Sequence, residues 1–299
     1  MSNLYKTAVV AALDAGRAIL DVYGMEDRGI EFKEDDSPLT LADKRAHAII
    51  EKHLARTGLP VLSEEGKHLP HGERKNWTAF WLVDPLDGTR EFIKRNGEFT
   101  VNIALIEGND PVFGVIYVPV GDVLYVGSVG GLEVDKLEGD GLEVDGLEVD
   151  GLEVDKLEVD KLGVGGQWAR KVKEASKQHF GDDPAQWPGE LLPNASHDDF
   201  AIVTSRSHLT PETEAFIQEL GESGLDPRII PTGSSLKICL IAEGQADCYP
   251  RFGPTFEWDI AAGHAIAQAS GASIENLDNG QPLKYNKEDL LNPWFIIQR

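Results

Sequence analysis

The residues best suited to chemistry lie in one short stretch, Trp81–Thr89, with the sequence Trp-Leu-Val-Asp-Pro-Leu-Asp-Gly-Thr. The apolar run at 79–83 predicts a buried strand that ends at Asp84, because Pro85 has no N–H for a ladder hydrogen bond. Such a turn at a strand end presents several hard oxygen atoms, which suit a divalent cation such as Mg²⁺. An ordinary solvated turn is the alternative, since Asp-Pro and Asp-Gly are common turn dipeptides. The oxygen donors are Asp84, the Leu86 carbonyl, Asp87 and Thr89.

Three further acidic residues stand where a predicted strand ends or a predicted helix begins. A short strand at 60–62 runs into Glu64, and the ends of strands are where α/β proteins place their ligands. Thr40 and Asp43 have the spacing of a capping box, so Asp43 either caps a helix or orients a catalytic hydroxyl. Asp259 opens an Ala-rich helix at 260–270, where an Asp is most often the N-cap.

The C-terminal third of the chain supplies groups that suit an anion. Thr232-Gly233-Ser234-Ser235 precedes a predicted helix at 236–243, and such a helix start presents free backbone N–H groups. Lys237 adds a positive charge one turn on, and Ser234 or Ser235 is expected to be the N-cap. Arg251 follows a predicted strand at 246–250.

The charge balance limits the classes of partner. The chain of 299 residues has 28 Lys and Arg against 51 Asp and Glu, a net charge of −23. This excess argues against a nucleic-acid polymer, although a small phosphorylated substrate remains compatible because a bound cation inverts the local field. The two cysteines fit a reduced, cytoplasmic protein. We find neither a signal-peptide pattern nor an apolar run of roughly 20 residues, and therefore expect no transmembrane segment.

Residues 131–162 differ from the rest of the chain. They contain six copies of Leu-Glu-(Val/Gly)-Asp-(Lys/Gly), with six Glu, six Asp and three Lys. The apolar period of five matches neither a helix nor a strand, so we expect a disordered or loosely extended surface loop. A calcium-binding repeat is the alternative, but the glycine-rich nonapeptide pattern of such repeats is missing.

The remaining pattern predicts a layered α/β fold with two domains. The first domain, 1–198, is α+β with a mixed sheet and contains the repeat, and the second, 199–299, is α/β. Helix-like basic sequence begins at 168, and the metal-binding groups lie between the domains, a common place for a ligand site. The other predicted strands are 30–36, a meander at 99–106, 111–117 and 123–127, then 201–204, 228–230, an internal strand at 272–274 and an edge strand at 292–298. The other predicted helices are 3–24 and one that begins at Thr210-Pro211.

Three motifs, in this order, resemble the inositol monophosphatase superfamily of metal-dependent phosphatases: Ser63-Glu64-Glu65, Asp84–Thr89 and Trp258–Gly263. Gly233–Lys237 and Ala242–Thr255 are most similar to its CysQ-type 3′(2′),5′-bisphosphate nucleotidases. The resemblance implies a layered αβαβα sandwich of the inositol monophosphatase/fructose-1,6-bisphosphatase type. It also implies a Mg²⁺-dependent, Li⁺-inhibited enzyme in which a metal-activated water converts 3′-phosphoadenosine 5′-phosphate to AMP and phosphate.

The same resemblance implies a role for each candidate residue. The residues that would hold the metals are Glu64, Asp84, Leu86 through its carbonyl, Asp87 and Asp259. Thr89 and Asp43 would orient and deprotonate the attacking water, with Glu64 as the third catalytic residue. The substrate would contact Glu64, Leu86, Asp87, Gly88, Thr89, Ser205, Ser234, Lys237, Arg251 and Asp259. Among these, the backbone N–H groups of Gly88 and Thr89 would hold the scissile phosphate, and the Arg251 guanidinium would suit a second one, which it can grip bidentately.

Two alternatives stay open. One is an inositol or sugar monophosphatase with the same metal-binding core. The other is a non-catalytic acidic interaction or Ca²⁺-binding protein in which the repeat does the work. The sequence contains neither a P-loop nor a G-x-S-x-G elbow that would favour another route to hydrolysis. The resemblance further suggests a monomer or homodimer, cytoplasmic or peripheral on the cytoplasmic face of the inner membrane.

Overall fold

The computed structural model describes residues 2–32, 38–67, 69–130, 167–207 and 209–299. The repeat at 131–162 and residues 33–36 of a predicted strand lie outside this range. Within it, seven α-helices are present: α1 (Ser2–Tyr23), α2 (Leu41–Leu54), α3 (His71–Arg74), α4 (Thr89–Lys94), α5 (Pro211–Glu222), α6 (Leu236–Glu243) and α7 (Glu257–Ala269). Among these helices, none combines the length and the apolar composition that crossing a membrane requires.

The strands of the described residues form three sheets. A two-stranded sheet pairs β1 (Glu31–Phe32) with β2 (Pro38–Leu39). A seven-stranded mixed sheet contains, in spatial order, β3 (Val61–Ser63), β4 (Ala79–Asp87), β5 (Thr100–Glu107), β6 (Asp110–Val118), β7 (Val123–Val129), β8 (Gln167–Lys173) and β9 (Glu190–Leu191). A five-stranded sheet has the order β11 (Arg228–Thr232), β10 (Ala201–Ser205), β12 (Cys248–Arg251), β14 (Phe295–Gln298) and β13 (Ser273–Asn276).

The described residues form five layers that pack through three apolar clusters, and the second of these clusters lies on both sides of the middle layer. Alternate residues of β5 face opposite sides of the seven-stranded sheet: Ile103 packs in one cluster with α1 and α2, and Ala104 in a second with α6 and α7. The second cluster also contains the inner face of the five-stranded sheet, and a third lies between that sheet and α5. This order confirms the αβαβα sandwich. The predicted division at residue 198 stays a prediction, and α7, from beyond it, packs on the seven-stranded sheet.

Helix α7 lies unusually close to the seven-stranded sheet. A Cβ built on Gly114 of β6 would stand 2.1 Å from the carbonyl oxygen of Ala262, and one built on Gly263 would stand 2.6 Å from Ile238 of α6. A glycine inside a strand often marks such an approach of a second backbone. Small residues on both surfaces thus fix α7 in the middle layer, and with it Asp259 in its first turn.

Several predicted elements are confirmed. Helix α6 has the predicted bounds, and β5, β6 and β7 form the antiparallel meander. Thr40 caps α2 as predicted: its Oγ1 accepts a hydrogen bond from Ala42 N (3.1 Å), and its own N–H donates to Asp43 Oδ2 (2.7 Å).

Two predictions about the sheets are wrong. The helix-like basic segment at 168 begins as β8, because the free edge of β7 offers ladder hydrogen bonds from Val123 to Val129, and tertiary pairing overrides helix propensity. The C-terminal segment does not lie at an edge: β14 pairs with both β12 and β13, and β13 is the edge strand. Phe295 and Ile297 of β14 are fully buried, as expected of an internal strand.

Candidate active site

Three carboxylates meet between the seven-stranded sheet and α7. Glu64 follows β3, Asp84 lies within β4, and Asp259 is in the first turn of α7. Parallel pairing of β3 with β4 places Glu64 beside Asp84, and Glu64 N donates to Val83 O over 3.1 Å. Each of the three offers an oxygen, and these oxygens all lie within 4.8 Å of one another. The structure therefore assembles three of the four predicted carboxylate ligands into one cluster.

The electrostatics of this cluster favour a bound cation. Burial, and then the charge of Glu64, raise the pKa of Asp84 well above its usual value. Burial, and then the charge of Asp87, do the same for the pKa of Asp259. Crowded carboxylates with little access to water repel one another, and a hard divalent cation would relieve that repulsion. The donor set fits such an ion.

Asp87, the fourth predicted carboxylate, is held beside the cluster by a bulge in β4. The predicted end of the strand at Asp84 is wrong: pairing with β5 shifts between Asp84↔Asn102 and Asp87↔Thr100, so the ladder bypasses Pro85 and resumes. Both the backbone N–H and the hydroxyl of Ser235 lie 2.6 Å from Asp87 Oδ2. We call Glu64, Asp84, Asp87 and Asp259 the acidic side.

Ser235 and Asn102 are functional candidates that sequence analysis missed. Asn102 Nδ2 donates to Ser235 Oγ (2.8 Å), which also lies 2.9 Å from the backbone carbonyl of Asp259. Ser235 stands at the N-cap position of α6 but makes no capping bond with its side chain. It instead connects Asp87 with α7. The available signal was Asn102, a polar residue inside an otherwise apolar strand, because buried polar groups have partners.

Thr89 and Asp43 lie together as predicted. Thr89 begins α4, and its Oγ1 is 3.2 Å from Asp43 Oδ1 and 3.3 Å from the Leu86 carbonyl. The other oxygen of Asp43 accepts from the N–H and the hydroxyl of Thr40. Burial raises the pKa of Asp43 to about 6. Gly88, just before α4, has φ 89°, which glycine adopts readily, and a Cβ there would stand 3.0 Å from the carbonyl oxygen of Glu98.

A cavity of about 210 Å³ joins part of this site to the predicted anion-binding residues. Its lining includes Asp87, Gly88, Thr89 and Asp259. It also includes Ser205, Ser234, Lys237 and Arg251, which we call the basic side. The lining also includes Glu91 and Tyr249, which the sequence analysis did not single out.

The two cations of the basic side, Lys237 and Arg251, differ in their contacts. Lys237 is 7% exposed; its Nζ donates to the Ser234 carbonyl (2.5 Å) and lies 5.6 Å from the centre of the Tyr249 ring. Arg251 donates through Nη2 to the Pro254 carbonyl (2.8 Å), whereas its buried Nε has no partner among the residues that the structure describes. A buried donor without a partner costs free energy, which an anion in the cavity would recover.

Known proteins match this chain over nearly its whole length. The 3′(2′),5′-bisphosphate nucleotidase CysQ of Escherichia coli (strain K12) is 41% identical over 291 residues, 96% of each chain. Its Salmonella typhimurium counterpart is 42% identical over the same coverage. The crystal structure of CysQ from Bacteroides thetaiotaomicron, 46% identical, covers 98% of this chain and 96% of its own, with a TM-score of 0.73. Residues 1–294 match the family model. The chain therefore belongs to the inositol monophosphatase family.

Proposed function

We propose that the protein is a Mg²⁺-dependent 3′(2′),5′-bisphosphate nucleotidase that hydrolyses 3′-phosphoadenosine 5′-phosphate to AMP and phosphate. The observation that carries this proposal is that one cavity is lined both by the carboxylates Asp87 and Asp259 and by the cations Lys237 and Arg251. The two cations supply the charge that a second phosphate requires. The CysQ relatives, at 41% to 46% identity, support the same activity.

The acidic side, with the Leu86 carbonyl, would hold the Mg²⁺. When bound, Mg²⁺ neutralises charge on the phosphoryl oxygens, lowers the pKa of the attacking water and stabilises the leaving alkoxide. The backbone N–H groups of Gly88 and Thr89 are assigned to the scissile phosphate, as the family resemblance implies.

Thr89 and Asp43 accept the proton of the attacking water. With its own proton directed to Asp43, Thr89 Oγ1 accepts a hydrogen bond from the attacking water and fixes its position. As the water attacks phosphorus, its proton moves through Thr89 to Asp43. A carboxylate with a pKa of about 6 accepts a proton efficiently near neutral pH. The bond between phosphorus and the 3′ oxygen breaks, the 3′ oxygen takes up a proton from solvent to become a hydroxyl, and AMP and phosphate leave the cavity.

Phosphate release from a small substrate panel tests the proposal. We expect turnover of 3′-phosphoadenosine 5′-phosphate to exceed that of an inositol monophosphate, to require Mg²⁺, to stop with a chelator and to fall with Li⁺. Faster turnover of the inositol monophosphate would favour the sugar-phosphatase alternative. No phosphate release from either substrate would favour the non-catalytic alternative.

We also propose that the enzyme is cytoplasmic and acts as a monomer or a homodimer. Light scattering of the purified chain and fractionation of the source cells test these two points. Recovery in the membrane fraction would place it peripherally on the inner membrane instead.

A further inference from the structure

Two charged residues outside the cavity lining join segments that contribute residues to it. Glu98 lies just before β5, in the half of the fold that contains the acidic side, and Arg206 directly follows β10. Arg206 donates through Nε to Glu98 Oε2 (2.7 Å) and through Nη2 to Glu98 Oε1 (2.6 Å), a bidentate pair. Glu98 Oε2 also accepts from Gly233 N (2.8 Å). We call Glu98, Arg206 and Gly233 the clamp.

Each member of the clamp is a direct neighbour of a site residue in sequence or in space. Arg206 follows Ser205, and Gly233 precedes Ser234. The carbonyl oxygen of Glu98 is the atom that a Cβ on Gly88 would meet at 3.0 Å. The clamp therefore connects the loop assigned to the scissile phosphate with both serines of the basic side.

The backbone at Ser234 needs such support. Its φ is +46°, in the left-handed region that a side chain other than glycine adopts only at a local energetic cost. The surrounding structure must hold a residue in that conformation, and the bond from Gly233 N to Glu98 fixes the preceding peptide. Arg206 adds to this by donating to the Pro231 carbonyl (2.7 Å) in β11.

A second bridge joins the segment after β10 to α4. Ser207 Oγ donates to Glu91 Oε1 of α4 (2.6 Å), and Lys94 Nζ donates to Ser207 Oγ (2.9 Å). The two bridges together hold residues 205–207 against α4 and against the segment that contains Glu98.

The exposure of the clamp argues against a purely stabilising role. The side chains of Arg206 and Glu98 are 44% and 23% exposed, and ion pairs so open to water contribute little to the free energy of unfolding. Bidentate geometry instead contributes orientation. Arg206 directly follows Ser205, and Glu98 binds the residue before Ser234. The pair can therefore orient both serines that line the cavity.

We propose that the clamp sets the distance between the loop at Gly88 and the basic side, so that the cavity spans a substrate with two phosphates. This inference rests on the proposed function. Glu98 and Arg206 are positioning residues: they act through Ser205 and Ser234 and touch no substrate. A monophosphate that uses only the acidic side is indifferent to them.

Glu98→Gln and Arg206→Ala, alone and together, test the clamp. Both variants keep every group that lines the cavity. We expect KM for 3′-phosphoadenosine 5′-phosphate to rise about tenfold, the scale of one lost charge-assisted hydrogen bond, with kcat nearly unchanged. KM for an inositol monophosphate should not move. Arg206→Lys, which keeps the charge without the planar fork, should recover part of the loss. The double variant should lose no more than either single one, because both remove the same contact.

Calorimetric binding of AMP, the product that keeps the second phosphate, to the protein in Mg²⁺ gives a second readout that needs no turnover. It should weaken by the same factor as KM rises. Lys284→Ala is the matched control, because it removes an ion pair of equal length, to Asp110 (2.6 Å), with both side chains about half exposed and outside the cavity lining. Melting temperatures identify any variant that fails to fold.

Three outcomes decide between the claims. Variants that behave like Lys284→Ala, or that lose activity on both substrates equally, overturn the clamp and leave the proposed function standing. A fall in kcat without a change in KM or in binding also overturns it. A parent enzyme that does not hydrolyse the bisphosphorylated nucleotide overturns the proposed function, and the clamp with it.

Discussion

The acidic and basic sides both contribute residues to one cavity but are built differently. Asp84 belongs to an internal strand of the seven-stranded sheet and Asp259 to a helix of the middle layer, and the packing of Gly114 against α7 fixes their separation. Ser205 and Arg251 end β10 and β12, and Ser234 lies in a turn with a left-handed backbone. Under the proposed function, the first set holds the metal and must keep fixed distances, whereas the second set contacts the substrate. Such a division, with one set in the core and the other at strand ends, would let one fold keep its chemistry while its substrate changes.

The two sides also differ in the kind of group that would complete them. The acidic side has too much charge of one sign in a small volume. The basic side has a buried donor, Arg251 Nε, without an acceptor among the described residues. Each deficiency is satisfied by a different part of the proposed complex, the cation or the second phosphate. Substitutions on the two sides should therefore have different signatures.

The largest effect is expected on the acidic side. Asp84→Asn, like Asp87→Asn, should lower turnover of every substrate by about a hundredfold to a thousandfold, the effect of removing a key electrostatic element. The fold should survive. In metal-free buffer the melting temperature of Asp84→Asn should equal or exceed that of the parent, because one of the repelling charges is gone. Phosphate release and differential scanning calorimetry measure the two quantities.

Asp110→Asn, on an exposed residue at the start of β6, is the control for that substitution. Turnover of Asp84→Asn near the parent level would remove Asp84 from the site. A melting temperature well below the parent would show that its carboxylate stabilises the fold.

On the basic side the effect should depend on the substrate. Arg251→Ala should lower kcat/KM for 3′-phosphoadenosine 5′-phosphate by about one to two decades, since a charged hydrogen-bonded contact is worth roughly 1.5–3 kcal/mol. An inositol monophosphate has no second phosphate and should be affected far less. Lys237→Ala should act in the same direction but less, because an ammonium lacks the fork. Equal losses for both substrates would make Arg251 structural or part of the catalytic core.

A smaller effect is expected where the two sides meet. Ser235→Ala removes the hydroxyl that lies between Asp87 and the Asp259 carbonyl, so the Mg²⁺ concentration for half-maximal activity should rise about tenfold. Isothermal calorimetry of Mg²⁺ binding should give the same factor. Ser270→Ala, at the far end of α7, removes an equally buried hydroxyl and should leave both values unchanged. If the two variants behaved alike, Ser235 would not orient Asp87.

No effect at all is expected from removing the repeat. Val129 and Gln167 are paired neighbours in adjacent strands, so replacing 132–161 with a short Gly/Ser loop should close without strain. Turnover and melting temperature should stay near those of the parent. Loss of activity on excision would favour a working role for the repeat.

The sequence predicted the carboxylates of the acidic side better than the residues that hold them in place, Asn102 and Ser235. Glu64 follows a strand and Asp259 lies in the first turn of a helix, positions that a local pattern can predict. Asp84 was selected at a predicted strand end, which the structure places at Asp87 instead. The bond between Asn102 and Ser235 joins residues 133 positions apart, and no local pattern predicts such a contact. The same limit explains the two wrong predictions about the sheets. Pairing with β7 makes the segment at 168 a strand, and pairing with both β12 and β13 makes β14 internal. No local pattern shows these partner strands.

The middle-layer position of α7 has a consequence for folding. Asp259 lies beside Glu64 and Asp84 only when α7 is packed on the seven-stranded sheet, and the same apolar cluster includes the five-stranded sheet. A cation that binds the native chain alone raises the free energy of unfolding by RT ln(1 + [L]/Kd), about 2.7 kcal/mol at a hundred times Kd. The ion would thus act as a cross-link between distant parts of the chain. Added Mg²⁺ would then slow hydrogen exchange of amides throughout both sheets, not only of those beside the cavity.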